Sequence, residues 1–386
     1  MKCYVLIFDV TGIQKYVFGS NKLMENLGAS YIVTSLFNNY MKEALKQIGL
    51  STNHFDDWIL GKKVLKEDPA LVYEVLYVGG GNLLIIFNNE SACKKLIKTF
   101  TKNLLLVAPS LAVATACIEA EYDSFYNNYS EYSKLLFDRI TESKNNQAPI
   151  TTFHNYGITA LCPRSGYSAD KYYGKDKKYI SSVSYRKIEM AESANKIVLT
   201  EFSDILGDKY CFTNDLEKLG QSKNEDSHIA VVHIDGNDMG KRFQNVKSVD
   251  DLRILSLKVE EITKKSFRYL LKHIVDNIDL IKEALNRDDL PAKDGKEILP
   301  LRPIIIGGDD ITFVCDGKLG IYFAKIFMEK FEELGRAFSK DNDEGLTSCG
   351  GIAIAKTKYP FYRVYRLSEE LCSNAKNYKK KNQLKG

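Results

Sequence analysis

The sequence predicts an α+β protein containing two ferredoxin-like (βαββαβ) domains with an irregular and helical insert between them. Three observations carry this reading. First, one strand pattern occurs twice: CYVLIFDVTG (3–12) and IAVVHIDGNDMG (229–240) are apolar runs ending in an aspartate, Asp9 and Asp235, with glycine following. Second, each is followed at nearly equal distance by a glycine hairpin, VLYVGGGNLLIIF (75–87) and RPIIIGGDDITFV (302–314). Asp9 to Gly79 spans 70 residues and Asp235 to Gly307 spans 72. Third, each hairpin is followed by a helical segment and a closing strand, LAVATACI (111–118) and GGIAIA (350–355). Strand, helix, hairpin, helix, strand is the split βαβ order, whose expected product is an antiparallel sheet faced on one side by two helices.

The elements follow from local chemistry. Branched apolar residues dominate the strands because they pack well on a pleated surface. Ser248 precedes Asp250 and Asp251, an N-cap arrangement that satisfies the free amides of a helix start. Leu252, Leu255, Val259 and Ile262 then recur at helical spacing. After the second hairpin, Phe323, Ile326, Phe327 and Leu334 mark another amphipathic helix. The predicted domains are 1–120, an inter-domain insert 121–226 and 227–386. The insert opens with a Tyr-rich helix and polar linker (121–146) and continues into YSADKYYGKDKKYISS (167–182), a basic aromatic segment read as an exposed loop. Alternating lysine and tyrosine also suits single-stranded nucleic acid, by charge and stacking.

The two hairpins differ where chemistry would show. Gly81 and Asn82 in the first stand where Asp309 and Asp310 stand in the second. Glycines suit a tight turn in both, but the acids occur in one copy only, so the hairpin folds without them. Adjacent carboxylates repel unless a cation or proton intervenes. In this topology the first strand lies beside the hairpin, which brings Asp235 towards Asp309 and Asp310. Three oxygen ligands beside a glycine turn suit Mg²⁺ or Mn²⁺. Two such ions roughly 4 Å apart activate an attacking hydroxyl and stabilise a leaving phosphate oxygen. The competing reading is an acidic turn without a ligand.

Bulk properties exclude little. The net charge of +4 is the small difference between 54 basic and 50 acidic residues, which demands no polyanionic partner. The basic tail KNYKKKNQLKG reads as solvated. The opening MKCYVLIFDVTG lacks a basic leader, so no signal peptide is expected, and no apolar run is long enough for a membrane span. Eight cysteines without a C-x-x-C pair indicate a reduced, cytoplasmic protein. GNDMGK (236–241) has the wrong spacing for a phosphate loop. His228 and His233 read as core or edge residues.

HIDGNDMG followed by GGDD resembles the palm domains of the large subunit of type III CRISPR effector complexes, relatives of GGDEF cyclases and nucleotidyltransferase palms. Residues 9–30 are similar to the start of that family's first, degenerate palm. Residues 348–380 are similar to its last strand and lysine-bearing helix. The resemblance implies two palms facing each other as a pseudo-dimer and synthesis of cyclic oligonucleotides from ATP with release of pyrophosphate. Asp235, Asp309 and Asp310 would be the catalytic metal ligands. Lys376 would meet the triphosphate, with Gly236, Asn237, Gly307 and Gly308 beside the nucleotide. The first hairpin, Gly79, Gly80, Gly81 and Asn82, would hold the acceptor nucleotide. The chain departs from the family in two ways. No His-Asp dipeptide of the family's nuclease domain occurs, which suggests a stand-alone or minimal form. Ser165 stands where a zinc-binding partner of Cys162 would fall, so no zinc is expected.

The sequence therefore reads as a cytoplasmic, metal-dependent nucleotidyltransferase making cyclic or linear oligonucleotides, with ATP the favoured triphosphate. The resemblance adds a role in antiviral signalling, with RNA or an effector protein as a further partner and no membrane. The alternatives are a non-catalytic nucleotide sensor and an RNA-binding effector subunit.

Overall fold

The computed structural model describes residues 1–146, 159–220, 227–338, 345–382 and 384. Parts 147–158 and 221–226 of the expected insert, and Gln383, Lys385 and Gly386 of the basic tail, lie outside the described residues. Thirteen strands are described. β1 (Lys2–Thr11), β2 (Tyr73–Gly79), β3 (Asn82–Phe87) and β4 (Ala112–Glu121) form one four-stranded sheet in the order β2-β3-β1-β4. β5 (Lys171–Tyr173) and β6 (Lys178–Ile180) form a hairpin; β7 (Tyr210–Cys211), β9 (Ala292–Lys293) and β10 (Lys296–Ile298) form a small sheet. β8 (His228–Gly236), β11 (Leu301–Gly307), β12 (Asp310–Asp316) and β13 (Ser348–Lys356) form the second four-stranded sheet, in the order β11-β12-β8-β13. Both large sheets are antiparallel and have the ferredoxin-like strand order, in an α+β fold. Among the described residues no helix is long and apolar enough to cross a membrane.

The chain divides into two compact units. One comprises Met1–Val17, Tyr31–Glu189 and Asp238–Lys258; the other comprises Phe18–Ser30, Met190–Asn237 and Val259–Gly386. The segment 167–182, read as a loop, contains the β5–β6 hairpin, whose exposed Tyr172 and Tyr179 pair edge to face.

In both units the sheet is covered on two faces, not one as expected. In the first, alternate residues divide the two sides. Phe8 packs on Phe37 and on Phe100 of the helix Glu90–Val107. Cys3, Val5 and Ile7 face the opposite way, into a cluster with Phe125, Tyr126, Leu136 and Ile140. Those four belong to the helices Tyr122–Asn127 and Tyr129–Asn145, the Tyr-rich segment predicted to open the insert. In the second unit, Gly350 and Gly351 show why β13 carries a glycine pair. A Cβ at Gly350 would lie 3.2 Å from Met328 Sδ on the helix Gly320–Phe338. A Cβ at Gly351 would lie 1.8 Å from the Ser368 carbonyl on the helix Phe361–Lys381. Each glycine admits a different helix to a different face.

The two sheets share a feature that composition does not reveal. β2 shifts register between Val75 and Tyr77, and β11 shifts between Pro303 and Ile305, each four to two residues before the turn glycine. Just before that bulge each strand buries a charged residue, Glu74 in β2 and Arg302 in β11. Glu74 is fully provided for. Its carboxylate accepts from Leu65 N (3.0 Å), Tyr122 OH (2.9 Å), Tyr126 OH and Arg253 Nη2 (3.2 Å). Arg253 also donates to the carbonyls of Leu76, Lys62 and Val75. Glu74→Gln removes the buried counter-charge of Arg253 and leaves only the half-exposed Asp250 carboxylate at 3.7 Å, which costs up to about 3–5 kcal/mol. The expected result is a correspondingly lower urea midpoint; an unchanged midpoint would show the pair to be dispensable.

Candidate active site

β8 brings Asp235 to the sheet end. It pairs there with Asp310 of β12 on one side and Cys349 of β13 on the other. Gly308 and Asp309 form the two-residue turn between β11 and β12. Gly308 has φ +58° and accepts a hydrogen bond at its carbonyl from Thr263 Oγ1 (2.7 Å). Asp309 has no positive φ, so the hairpin has the type II′ pattern, with only its first central residue in the left-handed region. In the first hairpin both Gly80 (+58°) and Gly81 (+80°) are left-handed, the type I′ pattern. Placing an aspartate at the second position therefore accompanies a change of turn type. The backbone anchor is kept: Gly236 N donates to the Asp309 carbonyl (3.1 Å) as Val10 N donates to that of Gly81 (2.9 Å).

The acids do not converge as a symmetrical trio. Asp309 lies against Asp235, and its carboxyl is pushed up to about 7, chiefly by burial and then by the Asp235 charge and a hydrogen bond shared with it. Asp310 turns instead to His233, with Oδ1 at 3.3 Å from Nδ1. His233 Nδ1 also lies 3.0 Å from Thr312 Oγ1. Burial opposes a charge on His233, but the hydrogen bond and charge of Asp310, with Asp235 and Glu369, raise its pKa. Among the described residues no three Asp, Glu, His or Cys side chains already form a metal-ligating group.

Lys376, on the helix Phe361–Lys381, donates to Asp235 Oδ2 (2.5 Å) and to the Gly236 carbonyl (2.7 Å). Asn237 is buried and held by Thr347, through its backbone N to the carbonyl (2.8 Å) and Nδ2 to Oγ1 (2.9 Å). Beside Lys376, a pocket of about 470 Å³ is lined by Cys349, Asn374, Ala375, Tyr378, Lys379 and Leu384. A Cβ at Gly307 or Gly308 would meet nothing within 4 Å, so neither glycine is required by the protein's own packing on that side. The donor set fits a hard divalent cation: the oxygens of Asp235 and Asp309 are pressed together at a cost that a cation removes.

That cost has a measurable consequence. Folded Asp309 holds its proton up to about pH 7, against an ordinary value of 3.8. The metal-free protein therefore loses stability as pH rises through that window and levels off above it. Asp309→Asn is expected to flatten this slope and raise stability at pH 8 by on the order of 1–3 kcal/mol. Urea midpoints in chelator at pH 4.5 and 8 measure it; parallel wild-type and variant profiles would rule the repulsion out.

The first unit holds a counterpart with a different chemistry. Asp9 pairs with Asn82 across β1–β3, and Lys144 lies 2.6 Å from Asp9 Oδ2. A helix lysine thus meets the strand-end aspartate in both units. The space beside the first hairpin is filled: a Cβ at Gly81 would lie 2.5 Å from Ile13 Cδ1, and one at Gly79 would lie 3.0 Å from the Tyr77 ring. A Cβ at Gly80 would lie 3.7 Å from the Tyr77 hydroxyl, and Asn82 Oδ1 is buried without a hydrogen-bond partner. The sequence reading missed the Asp9–Lys144 pair and the link of His233 and Thr312 to Asp310. Strand alternation was the available signal for the latter, since His233 and Asp235 share a face, as do Asp310 and Thr312.

Comparison with known proteins agrees with this architecture. Residues 228–385 match the family model of the Cas10/Cmr2 second palm domain. Solved structures of Csm1-Csm4 cassettes match in fold: the complex with one ATP has TM-score 0.60 at 16% identity, covering 98% of this chain and 53% of that one. The complex with cA4 has TM-score 0.59 at 15% identity with 98% and 53% coverage, and the apo cassette has 0.59 at 16% with the same coverage. The chain spans about half the length of these structures. No curated protein matches it. Residues 228–385 are thus identified as a palm domain of the Cas10/Cmr2 second-palm type, and the chain as a whole matches the Csm1-Csm4 cassettes in fold.

Proposed function

We propose that the second palm binds a nucleoside triphosphate, with ATP favoured, and directs its conversion to cyclic or linear oligonucleotides. The observation that carries this reading is the cluster of Asp235, Asp309 and Lys376 beside a glycine turn with open space. The family match and the ATP and cA4 ligands of the Csm1-Csm4 structures support it. In the reaction a 3′-oxygen bonds to an α-phosphorus, the bond to the pyrophosphate oxygen breaks, and the hydroxyl proton is released.

Asp235 and Asp309 would hold the Mg²⁺ or Mn²⁺, with Asp310 reaching it by turning from His233. The bound cations supply charge neutralisation at the phosphates and a more acidic hydroxyl. Lys376 exchanges its hydrogen bond to Asp235 for one to a phosphate oxygen, moving one positive charge only a short way. Gly307 and Gly308 leave the backbone accessible to phosphate, and Asn237, fixed by Thr347, keeps the strand end in register. Catalysis on this scheme is positioning and electrostatics, with no covalent intermediate on the chain.

The test is incubation of the purified protein with each NTP and Mg²⁺ or Mn²⁺, followed by mass spectrometry. Oligonucleotide and pyrophosphate are the expected products. Asp310 facing His233 favours a second reading, a nucleotide-binding sensor, which predicts Mg²⁺–ATP binding by calorimetry with every NTP returned intact. Activity appearing only on addition of RNA would instead make the protein an RNA-activated synthase.

A further inference from the structure

Away from the acids, the second unit has an open pocket of about 560 Å³ between the helix Ser182–Glu201 and the β7-β10-β9 sheet. Its wall includes Asn195, Leu199, Leu206, Tyr210, Phe212 and Lys296. Two of these residues touch the buried Arg302. Its Nη1 donates to Asn195 Oδ1 (2.8 Å), and its guanidinium carbon lies 5.5 Å from the Phe212 ring centre. Arg302 is fully buried, and its Nε and Nη2 have no hydrogen-bond partner.

The first unit shows how this fold ordinarily treats a charge at that strand position. Glu74, one residue after the start of β2 as Arg302 is one after the start of β11, receives four donors, one of them an arginine. Arg302 receives one amide oxygen and an aromatic face. Burial lowers its pKa to about 9, which still leaves it charged at neutral pH. A buried cation with donors to spare and no carboxylate is costly to the fold, and an entering oxyanion would remove that cost.

We propose that this pocket is a binding site for a small organic oxyanion. Its charged group would pair with Arg302 once the Asn195 amide turns aside, and its apolar body would lie against Leu199, Leu206 and Phe212. The charges of the wall itself balance, Lys293 and Lys296 against Asp208 and Asp294, with Lys296 3.6 Å from Asp208, so Arg302 behind the wall is the charge that selects the anion. The volume lies within the range of small-molecule sites. The chemistry fixes the oxyanion but is common to carboxylates and phosphate monoesters. The site is independent of nucleotide conversion, so its test needs no turnover.

Benzoate and phenyl phosphate, with benzyl alcohol as the uncharged control, are titrated into the full chain while chemical shifts and melting temperature are followed. Saturable binding of at least one anion is expected, at least tenfold tighter than that of the alcohol; which anion binds names the class. Arg302→Met is expected to abolish the anion response while the ligand-free melting temperature stays level or rises, because an unpaired charge has been removed. Equal response to the alcohol, no response to either anion, or anion binding unchanged in Arg302→Met would overturn the proposal. Should Arg302→Met fail to fold, Asn195→Ala decides. Tighter anion binding in that variant, because the amide that must turn aside is gone, supports the site, and unchanged or weaker binding overturns it.

Discussion

Replacing Asp309 and Asp310 together by alanine is expected to abolish oligonucleotide formation, by at least about a thousand-fold, in a protein that still folds. The loss follows from removing both turn carboxylates, leaving Asp235 alone to hold a cation. One electrostatic contact in such a site is worth about 10²–10³ in rate, and two groups are removed here. The fold should survive for a structural reason. The equivalent turn of the first unit has Gly81 and Asn82 yet keeps the same strand pairing and the same backbone bond, Val10 N to the Gly81 carbonyl. Circular dichroism and the urea midpoint check the fold, and mass spectrometry checks the product. Undiminished product from the double variant would remove the GGDD turn from the mechanism.

The second large effect belongs to Lys376. Lys376→Ala removes the ammonium that bridges Asp235 Oδ2 and the Gly236 carbonyl, and with it the positive charge offered to a triphosphate. A hydrogen bond to a charged group is worth about 1.5–3 kcal/mol, so kcat/KM should fall by about 10- to 150-fold. A ground-state role in holding the triphosphate would appear as a raised KM for ATP, and a transition-state role as a lowered kcat. Lys376→Arg, which keeps the charge, should recover part of the loss. If the alanine variant retains full kcat/KM, the lysine serves only to neutralise Asp235. In that case the variant should bind Mg²⁺ more tightly than wild type, because a competing cation is gone.

Much of this protein is written in local pattern. Strand alternation, the strand-end aspartates and the matched glycine turns specify two ferredoxin-like sheets, because period-2 apolar runs fix which side of each strand is buried. The difference between Gly81-Asn82 and Asp309-Asp310 directs attention to one turn for the same reason: the shared residues serve the turn, and the unshared ones are left over. Lys376 came from resemblance alone. Nothing in its spacing states that a lysine 141 positions beyond Asp235 reaches it.

Tertiary structure decided what depends on distant segments. It set the Tyr-rich helix 129–145 on the second face of the first sheet, where Lys144 meets Asp9, and the helix 361–381 on the matching face of the second. Helical periodicity declares an apolar stripe but not the sheet face that will receive it. It also split the acids, pressing Asp309 on Asp235 and turning Asp310 to His233, because neighbouring residues at the end of a turn leave it in different directions. The contrast between a satisfied Glu74 and an unsatisfied Arg302 arises in the same way. A sequence shows a charge within an apolar strand, but the partners that make its burial tolerable are drawn from segments up to 179 residues away, and only the folded chain assembles them.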